Sequence, residues 1–270
     1  MLIIENHRDV QTSSGPMRIH FFVPNTLPQY PNAKFPGVAV FTEIYQVTGP
    51  VERFCRQIAS QGYVVACPES YHEFEVPGTV LAYDVEGTDK GNQYKIDKEL
   101  SAYDEDATLT LTALQEHPNC NGRLGATGMC LGGHLAFRCA FDKRVSAAVC
   151  YFATDIHSET LGKGKQSDSL KRCKEIEGEI FMIWGKKDTH VPTPGRQLIY
   201  QTLTDANVVF SWVEFQDAQH AFIRDESSKG RYDPATAKIC FEALIELFHR
   251  RLYVDWGAPS GAAPKVEHVC

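Results

Sequence analysis

The sequence predicts an α/β fold with a mostly parallel central sheet and helices on both faces. Three observations carry the prediction. Short strand-like runs alternate with longer amphipathic runs along most of the chain. The run Gly37–Thr42 (GVAVFT) is apolar without interruption, as expected of a strand covered on both faces. A strand at Arg123–Gly128 leads through Met129-Cys130-Leu131 directly into a helical segment, a strand–turn–helix junction.

The elements follow in order. Met17–Val23 alternates and ends at Pro24, which reads as an early strand. After Gly37–Thr42, Pro50 opens a helix through Ser60, with Val51, Phe54, Cys55 and Ile58 at helical spacing. Gly62 ends it and Tyr63–Cys67 forms the next strand. Residues 68–97 are rich in Gly, Pro and charge with no clear period, and read as a long excursion. Its stretch Asp84–Asp97 reads as a solvated loop rather than a pocket rim. Lys98–His117 is a helix stopped by Pro118, and Gly132–Phe141 is the helix after the junction. Val145–Phe152 and Ile180–Trp184 are strands, Pro194–Leu203 is a helix, Val208–Phe215 a strand and Pro234–Leu252 the last helix. Residues 1–254 thus read as one domain, and the Gly-, Ala- and Pro-rich residues 255–270 as a flexible tail.

Composition narrows the function classes. The 270 residues include 27 Lys and Arg against 34 Asp and Glu, a net charge of −7, so no basic excess is available for phosphate backbones. With 43% hydrophobic and 23% charged residues the chain is of ordinary globular type. No stretch has the roughly 18 consecutive apolar residues of a membrane span, and the N-terminus turns polar at Glu5. A soluble, cytoplasmic protein is expected, with a small-molecule partner and neither nucleic acid nor membrane. The nine cysteines are scattered and mostly lie in apolar runs, which suits reduced core thiols. His117 and Cys120 lack a second ligand pair, so no metal site is expected. Neither G-x-x-x-x-G-K-[ST] nor G-x-G-x-x-G occurs, and nothing calls for a cofactor. No feature fixes an oligomeric state.

The chemistry concentrates at Gly128-Met129-Cys130-Leu131-Gly132-Gly133. It has the form of a nucleophile elbow with Cys in the nucleophile position. Small residues two before and two after let neighbouring chains pass closely, and the helix beyond turns its positive end toward the thiol. A buried thiol beside a Gly-rich turn is the plainer alternative. Asp188 (GKKDTHVP) and His220 (DAQHAF) alone would be a turn residue and a solvated loop residue. Each follows a strand, and nucleophile, acid, histidine is the chain order of α/β-hydrolases. Glu43 follows Gly37–Thr42 directly and belongs to the same sheet edge. That loop is also where one oxyanion-binding N–H is expected, with Ile44 and Leu131 as the natural pair of donors.

These residues resemble the dienelactone hydrolases (carboxymethylenebutenolidases), over about Gly37 to Leu252. The marks are Glu43-Ile44-Tyr45, Gly62-Tyr63, Cys67-Pro68, Pro77-Gly78, the Cys130 elbow, Gly185 with Asp188, and His220-Ala221-Phe222 with Arg224. The resemblance implies an α/β-hydrolase fold without a separate lid domain. It also implies a Cys130–His220–Asp188 triad, Glu43 meeting the resting thiol, and oxyanion N–H groups from Ile44 and Leu131. Arg224 matches one of the family's two substrate-carboxylate arginines, although a surface salt bridge to Asp225 or Glu226 is an equal alternative. The other arginine is expected after Cys67-Pro68, where this chain reads ESYHEFEVPG and offers Glu73, Glu75 and His72 instead. Tyr45, Tyr71 and Phe222 are expected to line an apolar pocket and Tyr151 to be core.

The implied reaction is hydrolysis of a lactone or activated ester through a thioester. Thiolates leave readily, so strained or enol-type esters suit cysteine best. Glu43 beside the sulfur would disfavour the thiolate and keep the resting thiol neutral. A broader carboxylesterase or thioesterase on the same triad is the main alternative, and a thiol redox or ligand-binding protein the non-catalytic one.

Overall fold

The structure is a computed structural model that describes residues 1–254; the tail expected at 255–270 lies outside them. The chain enters as a hairpin, β1 (Ile3–Thr12) and β2 (Gly15–Pro24), paired antiparallel from Ile3↔Pro24 to Thr12↔Gly15. β3 (Phe35–Phe41), β4 (Val64–Pro68), β5 (Cys120–Met129), β6 (Val145–Tyr151), β7 (Glu179–Gly185) and β8 (Phe210–Phe215) complete an eight-stranded sheet. Its order is β1-β2-β4-β3-β5-β6-β7-β8, and every pair from β4 onward is parallel. The expected mostly parallel α/β sheet is therefore present.

Alternation sorts the core into two layers. In β3, Val38 and Val40 face one side while Ala39 and Phe41 face the other, all buried. The first side packs on α1 (Gly49–Ser60) through Val51, Cys55 and Ile58, and on α7 (Pro234–Phe248) through Leu244 and Phe248. The second packs on α3 (Leu100–Glu116), α4 (Leu131–Cys139) and α6 (Thr193–Asp205). A short helix, α5 (Ser169–Arg172), precedes β7. Tyr151 is core as expected, its hydroxyl donating to the Cys240 carbonyl.

Two elements correct the sequence expectation. β1 is polar at most positions and mainly exposed, so it has no apolar alternation to read; it is held by its pairing with β2. The stretch expected to be a solvated loop is a helix, α2 (Val85–Asp97), capped by the Asp84 side chain accepting from the Gly87 N–H at 2.8 Å. It packs on the loop after β3. Gly91 lies so close to the Ile44 carbonyl that any Cβ would collide with it. The Tyr71 hydroxyl donates to the Gly91 carbonyl at 2.9 Å.

Candidate active site

Cys130 sits at the carboxyl end of β5, between the ends of β3 and β6. Its backbone is left-handed, with φ 59° and ψ −119°, a conformation that costs a non-glycine residue free energy and persists only where the surroundings enforce it. They do so here. The Cys130 N–H donates to the Tyr151 carbonyl at 3.1 Å, and its carbonyl accepts from Gly133 and Thr154 at 3.1 and 3.2 Å. Gly128 and Gly132 face one another and the Phe41 carbonyl at distances where a side chain would overlap backbone. Leu131 opens α4, so its N–H has no carbonyl one turn behind it. Of the described cysteines Cys130 is the one that is not buried.

The loops after β7 and β8 bring Asp188 and His220 to the same edge. They are stitched together by Lys186 N–H to the Phe215 carbonyl and Lys187 N–H to the Ala218 carbonyl. The Asp188 carboxylate accepts from the His190 N–H at 2.8 Å through one oxygen and from His220 Nδ1 at 2.8 Å through the other. Both residues are buried, so neither is a solvated turn or loop residue. Burial pushes the Asp188 carboxyl up, but the His220 imidazole outweighs it and the net shift is downward. Burial pulls the His220 imidazole down, whereas the Cys130 sulfur and the Asp188 carboxylate push it further the other way, to about 10. Its Nε2 is buried with no aligned hydrogen-bond partner, and the Cys130 sulfur lies beside it. The His190 ring packs on that of His220 at 4.2 Å between centroids.

Glu43 reaches the same cavity but is not bonded to the thiol. Its carboxylate accepts from the Tyr83 hydroxyl at 3.1 Å and faces Arg224 Nη1 at 3.5 Å. The two side chains beside it claim its oxygens. Arg224 is buried and stacks on the Tyr83 ring at 4.2 Å. It is not a surface partner of Asp225 or Glu226, which Arg53 holds at 2.8 and 2.9 Å.

Cys130, His220, Glu43, Ile44, Tyr45 and Arg224 all line one cavity of about 250 Å³. Two expected lining residues do not. Tyr71 is fully buried beneath α2, and Phe222 is core against Phe152 and Phe215. Their apolar bulk made them equally good core candidates, and packing decided. The sequence reading missed Thr88, Asn92 and Lys95 on α2, Asp155 after β6, His190, and Lys229 and Arg231. The spacing of 88, 92 and 95 is one helix face, a signal visible only once α2 is recognised as a helix. Across the cavity Lys95 Nζ donates to both Asp155 oxygens at 2.9 and 3.0 Å. Burial raises the Asp155 carboxyl, but Lys95 more than offsets this and holds it at about 2.

Among the described residues no cluster of His, Cys, Asp and Glu could hold a metal ion, and no helix is long and apolar enough to cross a membrane.

Known proteins place the chain. A profile of the dienelactone hydrolase family matches residues 25–252. A Saccharomyces cerevisiae protein named "Putative carboxymethylenebutenolidase" is 52% identical over the full length of both chains. A Pseudomonas putida carboxymethylenebutenolidase is 32% identical over 73% of this chain and 78% of its own. A crystal structure of a "Putative Dienelactone Hydrolase" from Klebsiella pneumoniae superposes with a TM-score of 0.78 at 21% identity, covering 93% of this chain and all of the other. With an elbow cysteine, a following acid and a final histidine at one edge of an α/β-hydrolase sheet, the protein belongs to the dienelactone hydrolase family and is a hydrolase of that type.

Proposed function

We propose that the protein hydrolyses a lactone or activated ester, dienelactone-like in having an enol-type leaving group, by covalent catalysis at Cys130. The observation that carries the proposal is the left-handed, partly exposed Cys130 beside the free Nε2 of His220, whose Nδ1 is fixed by Asp188. The Cys130 sulfur attacks the carbonyl carbon, and the N–H groups of Ile44 and Leu131 hold the developing oxyanion. As the carbon–oxygen bond breaks, the His220 imidazolium gives its proton to the leaving oxygen and becomes neutral. Water then attacks the thioester. His220 accepts the water's proton, the acid departs, and the sulfur is restored. Asp188 holds the imidazole in the tautomer that presents Nε2 and stabilises the imidazolium.

The raised proton affinity of His220 suits it to hold a proton beside the reacting sulfur. Glu43 fits this reading as a carboxylate restrained by Arg224 and Tyr83, free to move toward the sulfur when a substrate anion competes for Arg224. Tyr45 lines the acyl side, its hydroxyl bonded to Thr88 at 2.9 Å.

The test is acyl trapping with 4-nitrophenyl butyrate followed by peptide mass spectrometry. The expected adduct is on Cys130, and Cys130→Ala should lose both the adduct and roughly 10⁴-fold or more in kcat/KM. An adduct elsewhere, or undiminished hydrolysis by a folded C130A, overturns the proposal. Comparing a lactone, an aryl ester and an acyl thioester by kcat/KM separates the enol-ester preference from a broader esterase.

A further inference from the structure

His220 is held by a hydrogen bond at one end of its ring. Nδ1 meets Asp188 at 2.8 Å, while Nε2 has no aligned partner. A ring fixed at one atom can still swing about that bond, so packing must decide where Nε2 points. Two rings pack on it. Phe152 meets it at 5.0 Å between centroids and 68° between planes, and His190 at 4.2 Å and 43°. Phe152 is fully buried, and its N–H donates to the Ile183 carbonyl at 2.7 Å. His190 differs in kind. It lines the cavity, solvent reaches it, and it can take up a proton that the mechanism does not use.

The main chain that carries His190 is fastened on both sides of it. Its own N–H donates to Asp188 at 2.8 Å. The carbonyl of the next residue, the buried Val191, accepts from Arg196 Nη1 at 2.6 Å. Arg196 is buried on α6 and held in turn by the Thr193 hydroxyl at 3.0 Å and by Glu214 at 3.3 Å. The His190 ring therefore cannot retreat from His220 by a shift of the loop. Only rotation of its side chain, outward to solvent, would part the two rings.

The surroundings give the two imidazoles opposite charges to carry. Burial of its inner face and then the His220 charge hold His190 below its ordinary value. Asp188 opposes this, while Lys95 on α2 and Arg231 on the loop before α7 add to it. The other ionisable groups lining the cavity are Cys130, Glu43, Arg224, Asp155 and Lys229. His220 lies above its ordinary value, so near neutral pH a charged ring faces an uncharged one. The coupling is reciprocal: a proton on His190 disfavours the proton on His220 as much as the reverse. Two imidazolium rings at this separation would repel, and the side chain with access to solvent is the one free to leave.

We propose that His190 is a positioning residue for His220: its neutral ring is the stop that keeps Nε2 turned to Cys130, and its protonation withdraws the stop by setting a second cation against the first. The inference deepens the hydrolase reading and rests on it for the task of His220. The stop needs a ring and the withdrawal needs a titrating nitrogen. A phenyl ring at position 190 supplies the first without the second.

The experiment uses the full-length protein, His190→Phe and His190→Ala, all of which keep the backbone N–H that Asp188 accepts. Two rates are followed against pH: hydrolysis of 4-nitrophenyl butyrate, and alkylation of Cys130 by iodoacetamide, quantified by peptide mass spectrometry and normalised to a free small thiol. At about pH 7.5, His190→Phe should keep kcat within roughly threefold, whereas His190→Ala should lose roughly ten- to thirtyfold in kcat with KM little changed, because orientation and not binding is lost. Alkylation should slow about three- to tenfold in His190→Ala and stay within about twofold in His190→Phe. In the wild type both rates should fall on the acid side with a midpoint below the ordinary histidine value of about 6.5. In His190→Phe that midpoint should move down by at least about one pH unit. Wild-type kcat and alkylation in His190→Ala overturn the stop, and so does an equal loss in both variants. An acid limb unmoved in His190→Phe overturns the withdrawal. If no form of the protein turns over ester, the hydrolase reading falls and the alkylation profiles alone decide the stop.

Discussion

Two of the carboxylate–cation pairs at the candidate site, Asp188–His220 and Glu43–Arg224, are built to opposite standards. Asp188 and His220 meet in an aligned 2.8 Å hydrogen bond, and the second Asp188 oxygen is fixed by the His190 N–H. Glu43 and Arg224 stand 3.5 Å apart, each with a better local partner: the Tyr83 hydroxyl for the carboxylate and the Tyr83 ring for the guanidinium. A short, doubly anchored pair sets an orientation and keeps it. A loose pair shared through a third residue can exchange partners without first losing a strong bond. In the proposed mechanism the first belongs to the fixed geometry of proton transfer, the second to a step in which a ligand's charge rearranges the wall.

Breaking the tight pair should have the larger effect. Asp188→Asn keeps the shape but lets the amide N–H₂ face Nδ1, which favours the wrong imidazole tautomer. The expected loss in kcat/KM for an activated ester is about 10³–10⁴-fold, with the circular dichroism spectrum unchanged. A loss under tenfold would mean that Asp188 does not orient His220 for chemistry.

Breaking the loose pair should act on the thiol and on stability rather than on orientation. Glu43→Gln retains the Tyr83 contact and leaves the Arg224 charge buried with only the Ser227 carbonyl and an aromatic face. The cost should be up to about 3 kcal/mol in chemical denaturation, while iodoacetamide alkylation of Cys130 speeds up several-fold because a nearby negative charge is gone. If neither quantity moves, Glu43 is not coupled to the sulfur.

The two pairs can also be told apart by pH. Because His220 is raised from about 6.5 to about 10, its protonation favours the folded chain fully below the ordinary histidine range. That contribution disappears as the pH rises through about 10, since the folded state then gives up its proton too. The His220 Cε1–H resonance should accordingly titrate near pH 10. In Cys130→Ala, where one of the two groups pushing it up is absent, the midpoint should fall by more than one pH unit. A midpoint unmoved by the loss of sulfur would show that Asp188 alone sets it.

The same contrast explains what could be read from the sequence. Cys130, Asp188 and His220 each follow a strand whose apolar run announces itself, so their meeting at one sheet edge follows from topology. Glu43 was legible for the same reason. Its partners were not, because Tyr83 comes from the irregular segment before α2, and no periodicity in the chain says where that segment folds back. Lys229 and Arg231 depend on a turn with left-handed non-glycine residues, for which composition gives no warning. Tyr71 and Phe222 show the converse limit. An aromatic residue near a catalytic one satisfies a pocket and a core equally well until packing chooses.

The illegibility of α2 has a physical cause that can itself be tested. Gly87 and Gly91 lower helix propensity, and they make the stretch look like a loop. Both are required by contact: Gly87 lies against Ala82 and Gly91 against the Ile44 backbone, each too close for a Cβ. Of the two residues that hide the helix, Gly91 is therefore the one that lets it press on the loop whose Ile44 N–H is proposed to hold the oxyanion. Gly91→Ala raises helix propensity but must push α2 and Ile44 apart. Turnover of an activated ester should fall about three- to tenfold in kcat, by a displaced oxyanion donor rather than a lost one. Alkylation of Cys130 by iodoacetamide, which needs no oxyanion donor, should change by less than twofold. Equal losses in both would place the damage at the sulfur instead, and an unaffected kcat would mean that α2 covers the cavity without shaping its chemistry.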